Sequence, residues 1–160
     1  MKEASRDLLA SREDVWRFLS EPYHLADWWP RLTSVEPDRR GFGHDARWQV
    51  SVVEEPFGFR LAAAGRLSGP LVRATLLVTD IKAPELWAWR LIRSGSGMRM
   101  ARMLDVTVRL AAVDPVTTRA TVAVSGSGGC SARLFGSRDA ALARAAVDRL
   151  YELVQTAATL

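Results

Sequence analysis

The sequence predicts an α+β fold: a curved antiparallel sheet of six to seven strands wrapped around a long C-terminal helix, with two short helices between the first two strands. Three observations carry this. A capped, amphipathic helical stretch follows a short opening strand, a long run of alternating segments occupies the middle of the chain, and the last 25 or so residues return to helical periodicity without Gly or Pro after Gly136.

Residues 3–10 alternate weakly, with Ala4, Arg6, Leu8 and Ala10 opposed to Ser5, Asp7 and Leu9, a short strand pattern. Ser11-Arg12-Glu13-Asp14 then places a hydroxyl at an N-cap and an acid three residues on, and Val15, Trp16 and Leu19 form one apolar helical face. Pro22 ends that helix and suits the first turn of a second, which carries Leu25, Trp28 and Trp29 and stops before Pro30.

The texture from Ser34 to Gly126 is β. Thr33–Glu36 is a short strand, followed by a turn cluster over Pro37–Gly43. Ala46–Glu54 alternates, with Trp48, Val50 and Val52 on one face and Arg47, Gln49 and Ser51 on the other. Residues 55–69 read either way, because Phe57, Phe59 and Leu61 alternate while Gly58, Gly65 and Gly69 interrupt them. Leu71–Ile81, Glu85–Arg93, Met100–Val113 and Arg119–Gly126 follow as strands, divided by turns at Lys82-Ala83-Pro84, Ser94–Gly97 and Asp114-Pro115. Connections this short join antiparallel neighbours. In the closing helix, Leu142, Ala146, Leu150, Leu153, Val154 and Ala157 recur at three- and four-residue steps. Alanines at 140, 141, 143, 145 and 146 permit close approach to a sheet.

Length and composition bound the function. At 160 residues, 48% hydrophobic and 25% charged, the chain fits a single folded unit over residues 1–160. The opening residues have no apolar leader, and no window approaches the roughly 18 apolar residues of a membrane span, so a cytoplasmic protein without integral membrane association is expected. Cys130 is alone, which excludes an intramolecular disulfide and agrees with a reducing compartment. The net charge of +4 raises the question of nucleic acid, but twenty arginines against two lysines are scattered singly. The longest basic run is Arg39-Arg40, and GC-rich coding accounts for the bias, so no nucleic-acid partner is expected.

A sheet with one face to bury and one long helix to cover it leaves a gap where their shapes disagree, the natural place for a ligand. Trp28 and Trp29 would close one end of it. Adjacent helical residues point about 100° apart, so one is expected as a core plug and the other as a lid, with their assignment open. Trp87, Trp89 and Leu91 share a strand face, as do Trp48 and Val50. Each set reads either as a cavity wall, together with Leu104, Val106, Val108 and Leu150, or as ordinary packing. Arg93, in phase with Trp89, and Arg102, in phase with Leu104, flank one hairpin loop. They can hold an oxyanion at a cavity end or extend to water. His24 beside Asp27 reads as a general base or as a solvated surface pair, and Cys130 as an inert small residue or a nucleophile. Neither histidine has further ligands at metal spacing, so no metal and no cofactor are expected.

These segments resemble a known superfamily. Glu13–Pro22 followed by Leu25–Pro30 resembles the opening of START-like SRPBCC proteins, and the nearest likeness is to the bacterial polyketide cyclase/dehydrase and lipid-transport group. Gly43-His44-Asp45-Ala46-Arg47-Trp48 looks like that group's Gly-x-x-Ala-Arg-aromatic strand. Val78–Arg90 resembles its strand, proline turn and Trp-Arg strand, and Arg149–Leu153 the end of its terminal helix. The resemblance implies a helix-grip fold and a cavity for a hydrophobic, aromatic or polyketide-like molecule, in a monomer or homodimer. It does not imply one activity, because no dedicated acid–base set carries over; His24, Arg93 and Arg102 are the polar candidates. A second expectation is a non-catalytic interaction module resembling the heat-shock-chaperone ATPase activators of the same fold.

Overall fold

The computed structural model describes residues 1–53, 71–93, 102–127 and 136–158. The expectations for residues 55–69, the Ser94–Gly97 turn and Cys130 fall outside them. In chain order the elements are β1 (Lys2–Leu8), α1 (Arg12–Leu19), a 3-10 turn (Pro22–His24), α2 (Leu25–Trp28), β2 (Leu32–Glu36), β3 (Arg47–Val53), β4 (Leu71–Lys82), β5 (Leu86–Arg93), β6 (Arg102–Asp114), β7 (Thr117–Ser127) and α3 (Gly136–Ala158).

All seven strands form one antiparallel sheet in the order β1-β7-β6-β5-β4-β3-β2. β2 to β7 is a plain meander, and β1 crosses to pair with β7, with Ser5 opposite Thr121. The expected α+β helix-grip arrangement is the one observed.

Local chemistry explains the element ends. The Ser11 hydroxyl accepts the Asp14 amide at 3.2 Å, capping α1. Pro22 opens the 3-10 turn, where its missing N–H is no loss. Trp29, held before Pro30, leaves the helix with an extended ψ of 125°. Two irregularities shift the alternation: one in β2 between Leu32 and Ser34, the other in β4 between Val78 and Asp80. At the end of β3 it is Val53 that is buried while Val52 is only half-buried, so the expected Trp48–Val50–Val52 face loses phase at its last member.

The concave face is divided. α3 packs on β1 and β7 and touches α2, rather than lying across the middle of the sheet. Ala143, Ala146, Val147, Leu150 and Val154 meet the buried Leu8, Ala120, Val122 and Val124 on this side. At the rim Arg6 reaches Asp148 at 2.6 Å and lies over the Tyr151 ring at 3.8 Å. The other half, over β3 to β5, is filled by aromatic side chains of the strands, Trp28 and Trp29, and the loop carrying Phe42. The convex face carries cross-strand ion pairs: Arg90–Asp105, Arg109–Glu3 and Arg119–Asp7. The Asp7 carboxyl is held below the usual carboxylate range chiefly by its hydrogen bond from Arg119. Among the described residues, no helix is long and apolar enough to cross a membrane.

Candidate ligand-binding site

The aromatic half is built by strand alternation and one loop. β5 presents Trp87 and Trp89 to the concave side, opposite Val108 and Val106 of β6. β3 adds Trp48 and Val50. Trp87 lies 5.8 Å from Trp48, 6.1 Å from Trp89, 6.5 Å from Trp28 and 5.0 Å from Phe42, ring centre to ring centre. Trp29 meets Trp89 edge-on at 4.8 Å. The rings are tilted or edge-to-face throughout, the arrangement their quadrupoles favour.

One expectation is corrected here. Trp28 and Trp29 are not a plug and a lid: they are 0% and 3% exposed, and both are plugs. A plug beside a lid requires two helical residues, and only Trp28 is helical. The extended backbone at Trp29 instead turns its ring inward against Trp89. Trp48, Trp87 and Trp89 are likewise shut off from solvent, as are Val50, Val106, Val108 and Leu150.

Phe42 was not picked out from the sequence, although Gly41-Phe42-Gly43 marks a tight turn around an aromatic residue. Gly41 takes a φ of 55°, which favours glycine. The turn is organised by Asp38, whose carboxylate accepts the amides of Arg47 and Arg40, each at 2.9 Å. These bonds, the Arg47 amide foremost, hold its pKa below the ordinary aspartate value. The indole N–H of Trp48 donates to the Gly41 carbonyl at 2.7 Å, tying the loop to the floor. A depression of about 430 Å³ lined by Asp38, Arg40, Asp45, Arg47 and Leu77 lies at this loop, away from the tryptophans.

The other indoles differ. The N–H groups of Trp28, Trp87 and Trp89 are buried and have no hydrogen-bond partner among the described residues. A buried donor left without an acceptor costs roughly 1–3 kcal/mol. Three of them are a large burden for a fold whose net stability is of order 5–15 kcal/mol.

Further along β5 and β6 the floor opens. Leu91 and Leu104, paired across the strands, are only half-buried, and beyond them Arg93 occupies the register position opposite Arg102. The pairing of β5 with β6 thus sets positions 93 and 102 opposite each other in the sheet. Asp139 of α3 stands at the same end, accepting the amide of Gly126, the residue opposite Leu104, at 3.1 Å. It was missed because only the fold places the first turn of α3 there.

His24 sits in the roof. Its ring stacks on Phe18 at 4.3 Å, and its Nδ1–H donates to the Phe18 carbonyl at 2.8 Å, not to Asp27. That bond leaves Nε2 as the free basic nitrogen of the neutral ring. His44 faces Asp80 at 3.5 Å on the surface. No group of metal-ligating side chains occurs among the described residues.

Comparison with known proteins agrees with this architecture. No curated protein matches the sequence at a significant level. Among solved structures, a conserved protein from Geobacillus kaustophilus superposes with a TM-score of 0.67 at 20% identity, covering 96% of this chain and 91% of that one. The Zhui aromatase/cyclase from a Streptomyces species gives 0.68 at 14% identity, with 96% and 92% covered. A norcoclaurine synthase point mutant from Thalictrum, solved with a transition-state analogue, gives 0.63 at 15% identity, with 96% and 92% covered. At these identities the likeness is one of fold. The family model described as polyketide cyclase/dehydrase and lipid transport, however, matches residues 3–156, nearly the whole chain. The chain belongs to the polyketide cyclase/dehydrase and lipid-transport family of START-like SRPBCC proteins.

Proposed function

We propose that the chain, acting as one unit, encloses a hydrophobic small molecule of aromatic or polyketide-like character, with its apolar body on the concave sheet and an oxygen-bearing end toward Arg93 and Arg102. The observation that carries this is the gradient along β5 and β6. The same face runs from the sealed Trp87 and Trp89, past the half-buried Leu91 and Leu104, to two arginines in register. That α3 packs on β1 and β7 among the described residues favours an occupant other than α3 over this strip. The family match and the aromatase/cyclase likeness favour the same ligand class. Any chemistry would come mainly from folding and orienting a flexible chain, with Arg93, Arg102 and the Nε2 of His24 as polar groups. The convex face, laced with ion pairs, argues against the protein-binding alternative. The setting we infer is cytoplasmic, with no nucleic-acid partner.

The test is titration with a flat apolar probe, read by intrinsic tryptophan fluorescence. Saturable quenching at about one probe per chain is expected. Leu104→Trp, which fills the strip, should weaken the probe on the order of tenfold or more. Arg90→Ala on the convex face should leave binding unchanged. Equal affinity in parent and folded Leu104→Trp protein would show that the ligand lies elsewhere.

A further inference from the structure

Three indole donors of the aromatic half of the grip are buried without a hydrogen-bond partner among the described residues. Thr118, the one buried polar residue among the described ones, lies across the sheet on β7, and its hydroxyl donates to the Ala10 carbonyl at 2.8 Å. Trp48 donates to Gly41. Among the described residues the indole N–H groups of Trp28, Trp87 and Trp89 have no acceptor, although their rings form one contiguous group with Trp87 at its centre. Sequences avoid buried donors without acceptors, so three on adjoining rings call for an acceptor that arrives from outside.

Resting on the reading that the grip encloses a ligand, we propose that Trp28, Trp87 and Trp89 are its specificity-determining donors. They select a planar molecule bearing several oxygen acceptors, a polycyclic ketone or quinone, over an acyl chain or a bare hydrocarbon. Trp89 is two residues from the half-buried Leu91 on the same strand face, so an occupant entering along that strip meets its indole first. The sealed rings must shift to admit it. The tilted, edge-to-face contacts that hold them are individually weak enough to exchange for stacking on a flat guest. A saturated chain supplies apolar contact but leaves the donors unpaired, and a site built to donate rejects a guest that cannot accept.

The experiment compares two soluble probes of one shape, anthraquinone-2-sulfonate and anthracene-2-sulfonate, which differ by two carbonyl groups. Affinities are measured by titration, and the indole N–H resonances are followed by nitrogen-15 NMR. The quinone should bind about tenfold more tightly, the equivalent of one added hydrogen bond. The indole protons of Trp87 and Trp89 should move downfield with the quinone and not with the hydrocarbon. Trp87→Phe and Trp89→Phe, which keep a ring and delete the donor, should bring the ratio toward one. If a variant fails to fold, the resonances of the parent protein decide. Equal binding of both probes with unmoved indole protons would overturn the proposal, because the donors would then rest on neighbouring ring faces, while ligand enclosure would stand. Absence of binding by either probe would overturn both.

Discussion

The two halves of the concave face bury apolar surface by different means. Over β1 and β7, α3 brings alanines and aliphatic side chains against aliphatic strand positions, and Leu8, Ala120, Val122, Val124, Ala146 and Leu150 are sealed. The polar groups nearby are paired: Thr118 with Ala10, Gly126 with Asp139, Arg6 with Asp148. Over β3 to β5 the filling is aromatic, supplied by single side chains from short elements, and three donors have no acceptor among the described residues. The first half has what a permanent interface needs. The second buries more surface per residue, since each tryptophan removes about 200 Å² from water, but leaves a chemical deficit. On the reading proposed above, stability and ligand selection fall to different columns of one sheet.

That division can be broken most severely by removing residues 137–160. Loss of α3 exposes the aliphatic half, and the truncated chain is expected to aggregate or lose its near-UV signal. A monomer with unchanged near-UV spectrum would show that α3 is not the partner of β1 and β7. Point substitutions come next. Leu150→Ala and Trp87→Ala should each lower stability in urea melts, by about 2–5 and 3–5 kcal/mol respectively. If Trp87→Ala were nearly neutral, the aromatic half would not be packed as described.

A finer comparison uses two changes of the same chemistry. Trp48→Phe removes a made hydrogen bond and strands the Gly41 carbonyl, while Trp87→Phe removes a donor that has no partner. The former should therefore be more destabilising, by about 1 kcal/mol. Equal losses would place a partner on Trp87 as well. The smallest effect concerns Asp38. Its carboxyl titrates lower in the folded chain than in the unfolded one, so its contribution is fully present above the ordinary aspartate pKa. That contribution is lost as pH falls through the folded value. Asp38→Asn should flatten the acid limb of the stability profile, and an unaltered limb would remove Asp38 from the account.

Much of the fold is legible in the residues because period is local. Alternation in 86–93 and 102–114, and three- and four-residue steps in the last helix, each require only neighbouring positions. The opposition of Arg93 and Arg102 follows for the same reason, from one hairpin. What escapes is lateral placement. Periodicity says that Leu150 faces the sheet but not which strands it faces, and α3 settles over β1 because that strand returns from the far end of the chain. The inward turn of Trp29 depended on how Pro30 constrains its neighbour, and the phase change at Val52 on a bulge in the partner strand. At the site, the tryptophans themselves stood out in the sequence. Whether each indole has an acceptor could not, since Trp48 and Trp87 differ only in what a distant loop offers them.

The pairing of β1 with β7 has a consequence for how the chain is made. Ser5 and Thr121, joined across that ladder, are 116 residues apart. During vectorial synthesis the first strand leaves the ribosome long before its neighbour exists, while β2 to β7 can zip together hairpin by hairpin. Closing so long a loop is slow, and until it closes the outer edge of β7 offers a row of unpaired amides and carbonyls. The newborn protein is most open to wrong partners at that late stage, and β1, by capping that edge, ends the exposure.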